Sequence, residues 1–284
     1  MKHLAPPWIG SLAAIALASA LAGCATPRRS EAPQLPAAHD ALHAVAWMRT
    51  SHEYAWACRQ TFRSATTQID AALADPHWDA LPPNERQRSV AALPPAVIVD
   101  VDETVLDNGA FQARLVRQGR GFDARLWDAW VAEARAPALP GAKAFLDALS
   151  ARGVRVFYVT NRGAALRDAT IMNLRKVGFP DVGRETVLTR GHRVPGCDEG
   201  SAKFCRRRWI GHGHRVLMLV GDQVSDFVHA PAGQGVDDFA DWLGQRWFVI
   251  PNPAYGGWES DLFGNDWSLD EETRRKRKLD SIVD

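Results

Sequence analysis

The chain has 284 residues, with 34 lysines and arginines against 33 aspartates and glutamates, for a formal net charge of +1 at pH 7. Charges this evenly balanced give no electrostatic reason to bind a nucleic acid polymer. The length is enough to bury one sizeable core, and it leaves room for a small inserted cap.

The N-terminus carries an apolar stretch, residues 9–22, that is too short and too rich in alanine for a comfortable membrane span. It predicts an export signal. The stretch ends in Leu-Ala-Gly-Cys at residues 21–24, which resembles the lipobox at which bacterial lipoproteins are cleaved and acylated on the cysteine. We therefore expect residues 1–23 to be a signal peptide, and residues 24–38 to be a flexible linker that begins at a lipid-modified Cys24. An ordinary signal peptide with an incidental cysteine is the alternative.

The remainder, residues 39–284, alternates between short β-branched runs and segments with helical periodicity. Strands separated by helices predict an α/β fold with a doubly wound parallel sheet, preceded by one or two N-terminal helices. In such sheets the ligand lies at the carboxyl ends of the strands. Helices are predicted over residues 40–74, 141–152 and 164–177, and strands over residues 96–101, 154–159, 216–220 and 248–250.

Two carboxylates, Asp100 and Asp102, follow the first predicted strand. Residues two apart on an extended chain share a face, so both side chains can enter one pocket. Paired carboxylates repel each other unless a cation or a shared proton offsets the charge, and they can divide the tasks of nucleophile and proton donor. Taken alone, the pair favours a plainer interpretation as an acidic turn or a metal-only site.

Polar residues also follow two later strands. Thr160 and Asn161 follow the predicted strand at residues 154–159, and Asp222 and Asp226 follow the one at residues 216–220. Taken alone, a Thr-Asn pair after a strand is more often a turn and a helix cap. Oxygen-rich strand ends suit Mg²⁺, which takes one or two carboxylates together with phosphate oxygens and water. Lys203 can balance the charge of a phosphate and of a nucleophile, although a solvated helix face is its plainer interpretation. Together, the three strand ends predict phosphate and magnesium chemistry.

In this order the motifs resemble the haloacid dehalogenase (HAD) superfamily, and more narrowly the class C bacterial acid phosphatases of the lipoprotein e type. The resemblance spans nearly the whole chain after the lipobox. It is carried by Val-Asp-Val-Asp-Glu-Thr-Val-Leu-Asp-Asn at residues 99–108, Phe-Tyr-Val-Thr-Asn-Arg at 157–162, Ser-Ala-Lys at 201–203, Gly-Asp at 221–222 and Pro-Asn-Pro-Ala-Tyr-Gly-Gly-Trp-Glu at 251–259.

The resemblance implies a magnesium-dependent acid phosphatase that acts on phosphate monoesters. Asp100 would be the nucleophile that becomes an aspartyl phosphate, and Asp102 the general acid and base. Mg²⁺ would be held by the side chains of Asp100 and Asp222 and by the backbone carbonyl of Asp102. The remaining implied roles are phosphate binding by Thr160 and Asn161, charge neutralisation by Lys203, and support of the metal or the lysine by Asp226.

The resemblance also implies a cap at about residues 108–138, where aromatic side chains are by default hydrophobic filling. Trp127 matches a family aromatic that faces the position of Tyr255, and such a pair can sandwich a nucleobase or nicotinamide ring. Nucleoside 5′-monophosphates and nicotinamide mononucleotide are therefore expected substrates. Ala25, in place of an aspartate after the acylated cysteine, implies sorting to the outer membrane of a Gram-negative cell envelope.

Two other functions stay open on the same fold. One is a non-catalytic binding or storage protein, which the presence of Asp100 disfavours. The other is a phosphotransferase, which hands the phosphoryl group to an alcohol instead of water.

Cysteine and histidine residues carry further expectations. Outside the cytoplasm two cysteines can pair, and we expect Cys197 with Cys205 and a buried free thiol at Cys58, although sequence does not fix the connectivity. The Gly-His-Gly-His run at residues 211–214 is expected to be a loop without a metal, because the implied ion prefers oxygen ligands. The basic run at residues 274–278 is expected to lie on a solvated terminal helix.

Overall fold

The computed structural model describes residues 39–191, 200, 202–230 and 235–283. The expected signal peptide, Cys24, the linker and Cys197 lie outside the described residues. The described residues belong to one compact unit, Pro36–Asp284. Within the part of the chain that is described, no helix is both long and apolar enough to cross a membrane.

Two helices come first, and strands and helices then alternate, as the α/β prediction requires. The elements are α1 (Leu42–Thr50), α2 (His52–Ala74), β1 (Pro95–Val99), α3 (Gly109–Gln118), α4 (Ala124–Glu133), α5 (Ala142–Ser150), β2 (Arg155–Gly163), α6 (Arg167–Lys176), β3 (Val187–Arg190), α7 (Phe204–Gly213), β4 (Arg215–Gly221), β5 (Trp247–Val249), α8 (Gly257–Asp261) and α9 (Glu271–Asp280).

The five strands form one parallel sheet in the order β3-β2-β1-β4-β5. From the central strand β1 the chain continues to β2 and β3 on one side. It then crosses to β4 and β5 on the other side of β1, so the strand order reverses between β1 and β4. This confirms the predicted doubly wound sheet. A crevice opens at such a reversal point at the carboxyl ends of the strands, which is where ligands bind in folds of this type.

Side chains of β1 enter two separate cores. Val97 and Val99 belong to the larger core, while Ala96 and Ile98 belong to a second core. Because successive side chains of a strand point to opposite faces, the two cores lie on the two faces of the sheet. Burial on both faces explains why the strand is a continuous apolar run without polar alternation.

Helices α3 and α4 are inserted between β1 and β2, within the segment where a cap was expected. Gly119 ends α3 in the left-handed conformation, with φ 58°, and the side chain of Asp123 caps the next helix by accepting hydrogen bonds from two of its first backbone N–H groups. Leu106 and Ala138 form an isolated antiparallel bridge. The bridge brings together the two ends of this insertion.

The prediction of a loop at residues 211–214 is wrong, because α7 continues through Gly213. A Cβ atom on Gly211 would collide with Leu81, so the glycine lets the helix pack closely against this neighbour. Arg86 also donates a hydrogen bond to the carbonyl of Gly211. Within the described residues, no potential metal-binding cluster contains a histidine.

The cysteine expectations meet the structure only in part. Cys58 is a free thiol and fully buried, as expected. Cys205 is disulfide-bonded. Cys197, its expected partner, lies outside the described residues, so this pairing stays a prediction.

Candidate active site

Three carboxylates lie together at the carboxyl ends of the two central strands. Asp100 directly follows β1 and Asp222 directly follows β4, and the backbone N–H of Asp100 donates to the carbonyl of Val220 at 2.9 Å. This hydrogen bond continues the pairing of the two strands past the end of β1. Carboxylate oxygens of Asp100, Asp222 and Asp226 all lie within 4.8 Å of one another, and all three side chains are buried.

Lys203 provides the positive charge in this cluster. It lies immediately before α7, and its ammonium group contacts Asp100 and, at 2.5 Å, Asp226. The lysine side chain is 7% exposed. A charge so removed from water is held by its partners, so the interpretation of Lys203 as a solvated helix residue is wrong.

Burial shifts the proton equilibria of this cluster. Burial raises the pKa of Asp100 to about 7. The positive charge of Lys203 acts in the opposite direction, whereas the negative charges of Asp226 and Asp102 add to the increase. Burial and the charges of Asp226 and Asp100 also hold the pKa of Asp222 well above its ordinary value. Burial acts to lower the pKa of Lys203, but the attraction of Asp100 and Asp226 outweighs it and raises that pKa. The cluster therefore disfavours its own negative charges until a cation is added.

The loop after β4 is built around the carboxylate of Asp226. One of its oxygens, Oδ2, accepts hydrogen bonds from the backbone N–H groups of Asp222 at 3.1 Å and Gln223 at 3.0 Å. Gly221 is required here, since a Cβ atom at this position would collide with the Asp226 side chain. The loop therefore places the two carboxylates beside each other.

One oxygen of Asp222 is left without a partner. Oδ2 accepts a hydrogen bond from the side-chain amide of Asn252 at 2.7 Å. Oδ1 is buried, and among the described residues it has no hydrogen-bond partner. An orphaned buried carboxylate oxygen is costly unless an unseen group satisfies it, and a hard cation such as Mg²⁺ would do so.

Thr160 and Asn161 lie at the carboxyl end of β2. Thr160 is buried, and its hydroxyl oxygen accepts from the backbone N–H of Arg162 at 3.1 Å. Asn161 is exposed, and its Oδ1 accepts a hydrogen bond from buried Arg206 at 2.7 Å. Arg206 also donates to the carbonyl of Thr160 at 2.6 Å, so it fixes both the backbone and the side chain of this strand end.

Asp102 lies beside the three-carboxylate cluster and is the most exposed of the four aspartates, with 17% of its side chain accessible. It forms an ion pair with buried Arg162 at 2.7 Å. Asn108 donates to the same carboxylate at 2.8 Å, and Thr160 contacts it at 3.3 Å. Asp102 therefore borders the crevice while Asp100 lies deeper.

The two aromatic residues expected to bind substrate contact different parts of the structure. Trp127 packs edge-on against Phe111, with ring centroids 5.2 Å apart, and the guanidinium of Arg162 lies 5.6 Å from its centroid. Tyr255 donates its hydroxyl proton to Glu103, which is fully buried and has a left-handed backbone, with φ 54°. Both rings are partly buried and pack at the edge of the larger core.

Sequence reasoning missed five residues that hold these groups in place. Four of them lie inside the motifs that carried the resemblance, and their burial as polar residues is what distinguishes them in the structure. The fifth, Arg206, follows Lys203 by three positions and resembles any basic residue of a surface helix. The five are Glu103, Asn108, Arg162, Arg206 and Asn252.

The doubly wound sheet, the aspartates after β1 and β4 and the buried lysine before α7 together define a protein of the HAD superfamily. More narrowly, the chain belongs to the family described as HAD superfamily, subfamily IIIB (Acid phosphatase), whose family model matches residues 23–258. This confirms the resemblance to class C acid phosphatases that the motifs predicted.

Similarity to solved structures covers most of the chain. The class C acid phosphatase from Bacillus anthracis is 31% identical, with a TM-score of 0.74 over 86% of this chain and 97% of its own. A second structure of that protein, with tungstate bound, is 30% identical, with a TM-score of 0.73 and the same coverage.

Curated relatives match a smaller part. Acid phosphatase 1 from Solanum lycopersicum is 30% identical over 56% of this chain and 57% of its own length. The stem 31 kDa glycoprotein from Glycine max is 27% identical over 56% of this chain and 58% of its own. The chain thus spans less than three fifths of the length of these two relatives.

Proposed function

We propose that this protein is a magnesium-dependent acid phosphatase, which hydrolyses phosphate monoesters through a covalent aspartyl phosphate on Asp100. The observation that carries the proposal is the cluster of three buried carboxylates around one buried lysine, with Asp102 at its border. Family membership supports the same reaction. The Bacillus anthracis relative has also been solved with tungstate bound, and binding of a tetrahedral oxyanion by a relative supports phosphate binding by this chain.

The donor set of the site fits Mg²⁺. Its groups are hard oxygens, and the orphaned Oδ1 of Asp222 needs a partner. We propose that the side chains of Asp100 and Asp222 and the backbone carbonyl of Asp102 hold the ion. When bound, Mg²⁺ supplies positive charge that offsets these carboxylates and the phosphate oxygens.

The first half of the reaction transfers the phosphoryl group to the protein. A carboxylate oxygen of Asp100 attacks phosphorus and forms a new P–O bond, while the bond between phosphorus and the ester oxygen breaks. Protonated Asp102 gives its proton to that leaving oxygen, so the alcohol departs neutral. The accessible position of Asp102 at the border of the cluster suits this task.

The second half returns the protein to its starting state. Asp102, now a carboxylate, takes a proton from a water molecule as the water oxygen attacks phosphorus. The bond between phosphorus and the Asp100 oxygen breaks, and inorganic phosphate leaves. Asp102 keeps the proton for the next cycle.

Phosphate is held by groups from two sides of the crevice. Arg206 occupies Oδ1 of Asn161, so the NH₂ end of this amide is the one that can donate to a phosphate oxygen. We assign the Thr160 hydroxyl and this amide to phosphate binding. Lys203 keeps the negative charges of phosphate and Asp100 from repelling each other.

The aromatic pair indicates the substrate class. Stacking of a flat ring on an aromatic side chain contributes about 1–3 kcal/mol in nucleic acid complexes and tolerates different bases. Trp127 lies on α4 and Tyr255 lies on the loop before α8. We propose that both rings border the crevice, and that nucleoside 5′-monophosphates or nicotinamide mononucleotide are the substrates. No recognition of a nucleic acid polymer is proposed.

We also propose that Cys24 carries a lipid that anchors the protein in the cell envelope, at the outer membrane of a Gram-negative cell. The lipobox-like residues 21–24 support this location. Fractionation of cells that express the wild type or Cys24→Ala is the test. An equal share of both proteins in the membrane fraction would contradict the anchor.

Phosphate release from a panel of esters tests the reaction. The purified full-length protein is assayed with Mg²⁺ or with EDTA, beside Asp100→Asn and the exposed control Asp147→Asn. We expect EDTA and Asp100→Asn to abolish release and Asp147→Asn to leave it unchanged, with nucleotides ranked above glycerol phosphates.

Other outcomes point to the alternatives. No turnover of any ester by folded, magnesium-loaded protein would contradict an enzyme and favour a binding or storage protein. Phosphate found mainly on an added alcohol would favour a phosphotransferase.

A further inference from the structure

The two oxygens of the Asp102 carboxylate have different surroundings. Oδ1 accepts hydrogen bonds from Arg162 Nη2 at 2.7 Å, Asn108 Nδ2 at 2.8 Å and Arg162 Nε at 3.0 Å. Among the described residues, Oδ2 has only the two longest contacts, with Arg162 Nε at 3.2 Å and Thr160 Oγ1 at 3.3 Å. Oδ1 is therefore fully occupied, and Oδ2 is the oxygen that can exchange a proton.

Arg162 is itself held firmly. Its side chain is 1% exposed, one end of the guanidinium contacts the hydroxyl of Thr170 at 3.3 Å, and the plane lies over Trp127. Its backbone is part of β2. The planar, forked guanidinium fixes the direction of a carboxylate, which a single ammonium group does not.

Asn108 also holds the carboxylate, and the orientation of its amide is determined by a further contact. The indole N–H of Trp130 can only donate, and it donates to Asn108 Oδ1 at 2.8 Å. The NH₂ end of the amide must then face Asp102. Asn108 is fully buried, and Trp130 is only 3% exposed. The contacts from Trp130 to Asn108 and from Asn108 to Asp102 therefore leave the carboxylate little freedom to rotate.

We infer that Arg162 is a positioning residue which, with Asn108, orients Asp102 so that Oδ2 delivers the proton to the leaving oxygen. This inference rests on the proposed phosphatase reaction and on the role of Asp102 in it. Arg162 touches no reacting atom and acts through the direction of the carboxylate. Its loss therefore affects the steps that need a well-directed proton.

The way in which the activity loss depends on the leaving group distinguishes a positioning role of Arg162 from a purely structural one. A leaving phenolate with electron-withdrawing substituents departs without a proton, whereas an alkoxide from an alkyl phosphate requires one. General acid catalysis contributes roughly 10²–10⁴-fold where it is needed. A misdirected Asp102 should therefore affect alkyl esters far more than activated aryl esters, as judged by kcat/KM, which reports the first chemical step.

The experiment compares Arg162→Lys, Arg162→Met and the wild type on p-nitrophenyl phosphate and on glycerol 2-phosphate. We expect Arg162→Met to lower kcat/KM on the alkyl ester about 100-fold, within the range of general acid catalysis, and on the aryl ester less than about 10-fold. Arg162→Lys should lie between this variant and the wild type. The matched control is Arg114→Lys, since Arg114 lies over the Trp130 ring and pairs with the exposed residue Glu133 but does not contact Asp102.

A second variant acts on the carboxylate through Asn108. Trp130→Phe keeps a ring but removes the indole N–H that orients Asn108, so we expect the same preferential loss on the alkyl ester. Retained hydrolysis of the aryl ester shows that a variant is folded. If the arginine variants do not fold, Trp130→Phe keeps the test available.

The outcomes distinguish this inference from the function on which it rests. Equal losses on both esters in all folded variants would overturn the positioning role of Arg162 and leave the phosphatase intact. No hydrolysis of either ester by the wild type would contradict the phosphatase itself.

Discussion

The carboxylate of Asp100 is buried among like charges, which the contacting cation Lys203 opposes. At neutral pH and without a metal, this arrangement destabilises the folded chain, because an unfolded chain would expose the same carboxylate to water. The proposed nucleophile is thus also a source of strain.

Replacement of Asp100 by asparagine should reveal this strain as a pH-dependent change in stability. The folded-state pKa is raised from 3.8 to about 7, so the folded chain binds the proton more tightly than the unfolded chain. The penalty is absent below about pH 4, grows between pH 4 and 7, and is complete above pH 7. In EDTA, we expect the Tm of Asp100→Asn relative to the wild type to be higher at pH 8 than at pH 5.

The control for this measurement is Asp147→Asn, which changes an exposed carboxylate. Its Tm relative to the wild type should be nearly the same at both pH values. A Tm difference for Asp100→Asn that does not change between pH 5 and pH 8 would show that the buried carboxylate is not the source of the strain.

Residue types at strand ends were predictable, but their partners were not. Asp100, Asp102, Asp222 and Asp226 follow apolar strands, and the carboxyl ends of parallel strands meet at one edge of a sheet. The ion pair between Asp102 and Arg162 joins residues 60 positions apart. No local pattern indicates which buried cation pairs with which carboxylate, so such contacts emerge only from the folded chain.

At the scale of elements, three cationic residues at the start of α7 contact three separate parts of the site. Lys203 reaches Asp100 and Asp226, and Arg206 holds the carbonyl of Thr160. Arg207 forms a buried ion pair with Glu85 and donates to the carbonyl of Ser225 at 2.7 Å, inside the Asp226 loop. Three cations from one short stretch thus connect strand-end loops that are distant in the sequence.

Glu85→Gln should destabilise the protein through this helix. Glu85 and Arg207 are 3% and 1% exposed, so the substitution leaves a buried guanidinium without its counter-charge. Breaking a buried pair in this way costs about 3–5 kcal/mol. We expect a loss of that order in the free energy of unfolding, measured with denaturant.

The matched control for Glu85→Gln is Asp168→Asn, which breaks the solvent-exposed pair with Arg184 and should change stability little. Equal stability of Glu85→Gln and the wild type would mean that the buried pair does not hold the helix.

Elements with strong patterns were predicted, and elements defined by packing were not. The predicted strand at residues 216–220 matches β4 to within a residue at each end, because a long apolar run has few other interpretations. The edge strand β3, Val187–Arg190, was missed because four residues carry too little periodicity. The end of α7 was mistaken for a loop because Gly211 serves close packing against Leu81, which sequence does not reveal.

At the scale of the whole molecule, the proposed reaction centre and one of the two proposed substrate-binding rings lie on different parts of the chain. The carboxylates and the lysine come from the sheet edge, whereas Trp127 comes from the insertion between β1 and β2. If this separation holds, a change at Trp127 should alter substrate preference more than it alters the reaction itself.

Trp127→Leu tests this separation. We expect kcat/KM for a nucleoside 5′-monophosphate to fall about 10-fold, since base stacking contributes roughly 1–3 kcal/mol. Hydrolysis of glycerol 2-phosphate, which offers no ring, should change much less. Equal losses on the two substrates would argue that Trp127 supports the fold or Arg162 instead of binding a base.

The strained cluster has a consequence for the evolution of this fold. If Asp100 is the nucleophile, as proposed, a substitution that neutralises it would end catalysis and would also remove a destabilising buried charge, without a change in either core of the sheet. Descendants that lose the activity therefore keep, and even improve, a foldable chain. The scaffold is accordingly open to reuse for tasks that need a stable protein without chemistry.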